Sequence, residues 1–299
     1  MIGKVAVVTD SVASIPEALI HELNIHVVPY YIHRGEEVLR DLVTIQREEF
    51  LRWLPTARVL PTTASPGPGD YLNIYEKIAR EEGAADILSI HITSKGSGAY
   101  QAALAAQSMA RENLPEVRIE VIDTLNCSLC QGWMVIEAAR AAEKLASLDE
   151  MAACVRQMML TARMIQTGDT LKYMFMGGRI GRAQHLVGSA LNVKPLIGME
   201  DGVIVAYGVS LSLSRAYQAM ARLVETAVGK MAQIKVAYVH SGAPQEIHKL
   251  RAEIESRFTC VETLIAELSP ALAVHSGPGT IGLCYFPVGV GVASHRTGR

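Results

Sequence analysis

No stretch of the 299-residue chain approaches the roughly 20 consecutive apolar residues that a membrane-spanning helix requires. The opening run "VAVVTD" is short and broken by Asp10, which is not the pattern of a secretory leader. Aromatic residues make up only 5%, the formal net charge is −2, and no block of lysine or arginine stands out. A nucleic-acid partner is therefore not expected, because neither the electrostatic footprint nor the stacking surface is there. The five cysteines are an odd count without disulfide-framework spacing, which places the protein in a reducing, cytoplasmic setting. Also missing are a phosphate-binding G-x-x-x-x-G-K-[ST] loop, a G-x-S-x-G nucleophile turn and an H-E-x-x-H metal motif.

With 49% hydrophobic and 19% charged residues, the chain has the make-up of a packed protein long enough for two domains. The first half alternates strand and helix signals. "VAVVTD", "IHVVPYYIH", "ADILSIHI" and "RIEVIDT" read as strands, and Pro29 marks the second as an edge or bulge. Between them lie helical patterns in "IPEALIHEL", "TIQREEFLRWL", "SPGPGDYLNIYEKIAREEG" and the segment after Ser97, followed by a long helix from about Ser128 to Leu145. Such alternation predicts an α/β/α domain with a mostly parallel sheet. The second half reads differently. A helix over "SLDEMAACVRQMMLTARMI" opens with a capping box, Ser147 and Glu150. Short strands with an "EDG" hairpin turn at Glu200–Gly202 follow, then helices near 215–228 and 244–258 and strands "IKVAYVH" and "LCYF". This predicts a smaller α+β domain with a mixed or antiparallel sheet, so the division falls near residue 148, giving 1–148 and 149–299.

Ligands of open parallel sheets bind beyond the carboxyl ends of the strands. Three polar stretches are candidates there: "TDSVAS", "PTTASPGPG" and "TSKGSG". Thr63 and Ser94 can each donate a hydrogen bond, and the amides after Ser97 supply the positive end of a helix. Lys95 is the single cation among them, so one carboxylate suits these stretches better than a multiply charged phosphate. "HSGPGTIG" matches G-x-G-x-x-G at Gly277, Gly279 and Gly282, but no Asp or Glu follows where a dinucleotide site needs one. It reads instead as a glycine–proline loop that sets His275 beside a ligand. In "MFMGGRIGRA" the glycines before Arg179 let the backbone bend close to a partner. "CSLC" opens a helix in uncharged surroundings and reads as structural sooner than redox-active. Met134, Met151, Met158, Met159 and Met164 form either an adaptable core or the wall of an apolar tunnel.

Together "VTDSVASIP", "PTTASPGPGDY", "TSKGSGAYQAA", "VIDTLNCS", "LKYMFMGGRIGRA", "LNVKPLI" and "HSGPGTIG", in this order, resemble the DegV family. That resemblance implies an α/β/α domain joined to a smaller α/β domain. It also implies a non-catalytic carrier whose long-chain fatty acid lies in a tunnel between the two and is presented to a separate fatty acid kinase. No cofactor is implied beyond the lipid. Transient contact with a membrane surface fits such a role. Matching motif to motif, the family's ligand-binding threonine is Thr63, its carboxylate contact Ser94 with Ser97 close by, its loop histidine His275 and its turn arginine Arg179. Ala64, Ser65, Gly67 and Gly96 depart from the family's residues at their positions. The competing reading is an enzyme on the same scaffold, a small-molecule kinase subunit or a hydrolase using Ser94 or Ser97.

Overall fold

The computed structural model describes residues 5–188 and 193–288. Its first half runs β1 (Val5–Asp10), α1 (Glu17–Glu22), β2 (Ile25–Val28), β3 (Tyr31–Arg34), β4 (Glu37–Arg40), α2 (Arg47–Trp53), β5 (Thr62–Ala64), α3 (Pro68–Glu81), β6 (Asp86–His91), α4 (Ala99–Asn113), β7 (Arg118–Asp123) and α5 (Ser128–Glu143). The second half runs α6 (Leu148–Thr161), β8 (Arg163–Thr167), α7 (Lys172–Met176), β9 (Lys194–Glu200), β10 (Val203–Ser210), α8 (Leu213–Val228), β11 (Gln233–His240), α9 (Pro244–Glu255), β12 (Thr259–Glu267), α10 (Pro270–Ser276) and β13 (Ile281–Pro287). The expected parallel sheet is present with the order β2-β1-β6-β7, and the expected mixed sheet has the order β10-β9-β8-β13-β11-β12.

A third sheet, β4-β3-β5, was not anticipated. Its origin is Pro29. The run "IHVVPYYIH" is not one strand, because proline has no N–H to continue a ladder. The chain therefore leaves the parallel sheet after Val28 and starts an antiparallel one at Tyr31. Thr63 belongs to this third sheet, opposite Ile32, so "PTTASPGPG" is a strand and a helix start and not a turn after a parallel strand. Three other elements depart from the sequence reading. β8 occupies the end of what reads as one long helix, β12 carries no distinct signal, and α10 carries His275 itself, so that the glycine–proline loop begins only at Gly277. Residues beyond 288, and part of "LNVKPLI", lie outside the described residues.

Other local signals are realised. Ser147 N–H donates to Glu150 Oε2 at 2.8 Å and Glu150 N–H donates back to Ser147 Oγ at 3.4 Å, which caps α6. Asp201 and Gly202, at φ of 50° and 78°, close the β9–β10 hairpin with the left-handed backbone that such two-residue turns need.

α5 lies between the parallel and mixed sheets, and its sequence "SLCQGWMVIEAARAAE" is apolar nearly all round, as such a position demands. Trp133, fully buried, meets Phe286 edge-on with ring centroids 5.7 Å apart. Met134, Met151, Met158 and Met164 share this core with Ala237 and Cys284 of the mixed sheet. At its polar edge, Glu137 and Arg140 of α5 pair with Lys235 and Glu262 of β11 and β12 at 2.7–2.8 Å. Outside the parallel sheet, α3 and α4 pack Tyr71, Tyr75 and Ile78 against Ala99, Ala103 and Ala106. On α4, Met109 is exposed and Ala110 is buried.

One position shows how tightly α5 is held. A Cβ at Gly132 would stand 2.8 Å from the backbone oxygen of Ala13 and 2.8 Å from Leu129 Cδ2. Alanine is the better helix former by about 1 kcal/mol, but crowding a rigid backbone oxygen costs about 1–3 kcal/mol. Gly132→Ala is expected to lower the denaturant midpoint of unfolding at unchanged slope. A raised midpoint would show that α5 has room the packing denies.

Candidate functional site

Past the carboxyl ends of β1 and β6 lies a cavity of about 430 Å3 whose wall draws on both halves of the chain. Four of the five residues singled out in the sequence line it: Thr63, Ser97, Arg179 and His275. Ser94 does not. Its backbone N–H donates to both carboxylate oxygens of Asp123 at 3.2 Å, and the wall passes through Thr93, Lys95, Gly96 and Ser97 instead.

Each lining group is placed by identifiable contacts. Ser97 and Gly98 stand at the start of α4, where Ser97 Oγ accepts from the Ala99 N–H at 3.3 Å. Ser97 also bonds to the hydroxyl of Tyr30, a residue the sequence reading passed over. Burial, together with the nearby Asp10 charge, pushes the Tyr30 phenol well above its ordinary range, so it stays protonated, and either hydroxyl of the pair can donate to the other. Where Tyr30 donates, the Ser97 hydroxyl can turn its hydrogen to a ligand.

His275 stands in the last turn of α10, and its Nε2 lies 2.7 Å from Thr63 Oγ1. Its Nδ1 is buried without a partner, pressed against Gly177, where a Cβ would lie 2.4 Å from that nitrogen. An N–H buried with no acceptor is rarer than an unpaired acceptor. We therefore place the proton on Nε2, donating to Thr63 and leaving the threonine hydroxyl to donate into the cavity. Burial, and after it the Arg179 charge, lower the His275 pKa to about 4. Arg179 is itself exposed and donates from Nη1 to Gly177 O at 2.6 Å.

α10 is anchored by a carboxylate that nothing in the sequence flagged. Asp41, fully buried, accepts from Ser11 Oγ at 2.6 Å and from the Ala271 N–H at 3.2 Å in the first turn of α10. Burial raises its pKa to about 6. Across the cavity, Thr93 Oγ1 donates to Gly202 O at 2.9 Å, so the β9–β10 hairpin rests on the turn that carries Ser97. The inner wall is apolar, with Val12, Ile92, Met164, Met174, Met199 and Leu268.

A second constellation has the order of a hydrolytic triad. His91 Nδ1 lies 3.1 Å from Asp10 Oδ2, and His91 Nε2 lies 2.7 Å from Ser89 Oγ. All three are fully buried away from the cavity wall, and Ser89 Oγ also accepts from Tyr75 at 2.8 Å. They form part of the core. Among the described residues, no group of three or more His, Cys, Asp or Glu is placed to hold a metal ion, and no helix is long and apolar enough to cross a membrane.

The low pKa of His275 gives a measurable pH dependence. An unfolded histidine titrates near 6.5 and this one near 4, so between those values the unfolded chain binds the extra proton. The contribution of His275 to stability is therefore full above pH 6.5 and is lost as pH falls towards 4. In ring-proton NMR of the ligand-free protein, His275 is expected to remain neutral down to about pH 5, and a carboxylate ligand should raise its midpoint. A midpoint near 6.5 without ligand would contradict the enclosed site.

The sequence profile of the DegV family, described as uncharacterised proteins, spans residues 4–288. A DegV domain-containing protein of Caldanaerobacter subterraneus is 30% identical over 94% of this chain and 98% of its own. The structure of a DegV family protein from Thermus thermophilus, described for its fatty acid binding, superposes with a TM-score of 0.88 at 30% identity, covering 95% of this chain and 100% of that one. A stearic acid-binding protein from Eubacterium ventriosum superposes at 0.84 with 26% identity, covering 94% and 97%. With the profile running along nearly its whole length, the chain belongs to the DegV family.

Proposed function

We propose that the cavity binds a long-chain fatty acid, its carboxylate among Thr63, Ser97, His275 and Arg179 and its chain along the methionine-lined wall. The observation that carries this reading is the joining, in one cavity, of the Thr63 and Ser97 hydroxyls, each held by one side-chain partner, with an extended apolar wall. Burying each CH2 contributes about 0.8 kcal/mol, so a sixteen-carbon chain supplies on the order of 10 kcal/mol before the costs of binding. The head group must only avoid being an unpaired buried charge. Thr63 and Ser97 offer donors, Arg179 offers a cation at the exposed rim, and the neutral imidazole orients Thr63. The fatty acids bound by the Thermus and Eubacterium relatives support this assignment.

In this reading residues 1–148 and 149–299 act as two domains with the lipid between them. The protein is a non-catalytic cytoplasmic carrier, needs no cofactor, and presents its carboxylate to a separate fatty acid kinase. Arg179 and His275 belong to that presentation, and loading involves transient contact with a membrane surface. Ser97 has a phenol and not a base as its side-chain partner, which favours a carrier over a hydrolase.

Thr63→Ala and Ser97→Ala are each expected to weaken binding of palmitate by about 1–3 kcal/mol in calorimetry, with non-additive effects because both serve one carboxylate. Ser94→Ala should bind as the parent does, since Ser94 is not in the wall. Parental affinity in the Thr63/Ser97 double variant would remove the head-group assignment. With a reconstituted kinase, Arg179→Ala should reduce acyl-phosphate formation more than palmitate binding; equal losses would make Arg179 a plain binding residue.

A further inference from the structure

The cavity wall contains polar side chains that the head-group cluster does not use. Ser128, Gln166 and Ser276 all line it and are only 3%, 7% and 8% exposed. The hydroxyls of Ser128 and Ser276 are buried with no hydrogen-bond partner. A wall that served only methylene groups would gain from alanine or leucine at such places, because a buried hydroxyl without a partner is penalised.

Their placement is specific. Ser128 is the first residue of α5 and holds a left-handed backbone at φ 55°, a strained conformation for serine that tends to persist where a site requires it. The preceding Cys127 brings its Sγ to 3.8 Å from Met164 Sδ. Gln166 follows Met164 by two residues on β8, hence on the same strand face. The start of α5 and the β8 face carrying Gln166 thus meet along the cavity wall. Ser276 lines the same cavity from the end of α10. Together they offer hydroxyl and amide groups that both donate and accept, and none of the three is charged. A second carboxylate is unsuited to such surroundings, whereas a neutral oxygen is well matched.

Resting on the fatty-acid reading above, we infer that the cavity selects acyl chains carrying an oxygen substituent, a hydroxyl or keto group, which Ser128, Gln166 and Ser276 receive. The ligand class is then an oxygenated long-chain fatty acid, and the plain acid of equal length is a weaker ligand.

The test is competition binding with stearate and a series of hydroxystearates whose hydroxyl moves along the chain. At least one positional isomer is expected to bind about tenfold more tightly than stearate, the gain of one well-placed hydrogen bond in a dry site. Ser128→Ala and Gln166→Leu should each erase that preference while stearate still binds, which also shows that the variants are folded. Stearate binding more tightly than every isomer, with a ratio the variants leave unchanged, would overturn the inference: the polar groups would then hold water. Failure of stearate and all isomers alike to bind would instead overturn the fatty-acid reading itself.

Discussion

The hydrogen bond between Thr63 and His275 joins residues 212 positions apart and closes the cavity between two independently built parts of the fold. Thr63 sits on a short strand of the small antiparallel sheet, and His275 at the end of a short helix. Neither element would hold its place alone. The strand is kept in register by Ile32, and the helix by the buried Asp41, whose carboxylate meets the first turn of α10. Gly177 then packs so close to the imidazole that a side chain there is excluded. The ring is fixed on both nitrogens' sides, and a neutral histidine becomes a rigid positioning group for the hydroxyl beside it.

The same logic shapes the opposite wall. Tyr30 lies just past Pro29, the residue that sends the chain out of the parallel sheet, and its protonated phenol orients Ser97. The β9–β10 hairpin reaches back to Thr93 through Gly202, where a Cβ would come within 2.4 Å of the threonine hydroxyl. A left-handed glycine is therefore required twice over, by the turn and by the contact. A buried carboxylate needs donors already aimed at it, because donors that must first be ordered give back much of what the hydrogen bonds contribute. Here the ordering is done by the fold before any ligand arrives.

Much of this was legible in the amino-acid sequence, and the gaps have physical reasons. The parallel sheet, the capping box at Ser147 and the hairpin at Asp201–Gly202 rest on local patterning, where neighbouring residues decide the outcome. Thr63, Ser97, Arg179 and His275 stood out because polar or glycine-flanked residues interrupt apolar runs. β5 and α10 did not, being too short to show a period, and β12 is half exposed with no clean alternation. Tyr30 and Asp41 were invisible for a different reason. Their roles come from partners distant in sequence, Ser97 for one and Ala271 for the other, and no spacing rule reports such pairs. Ser94 shows the converse case. Its turn is rich in hydroxyls, but its backbone N–H is bound to Asp123 and the cavity wall is formed by the residues on either side.

On the reading proposed above, this cavity, with its apolar wall and its Thr63 and Ser97 hydroxyls, holds one fatty acid. Native mass spectrometry of freshly purified protein tests it most directly. The expected spectrum shows a population heavier than the bare chain by the mass of a single fatty acid of roughly fourteen to eighteen carbons, released on denaturation. A spectrum of bare chain alone, together with no uptake of added isotope-labelled palmitate, would contradict it.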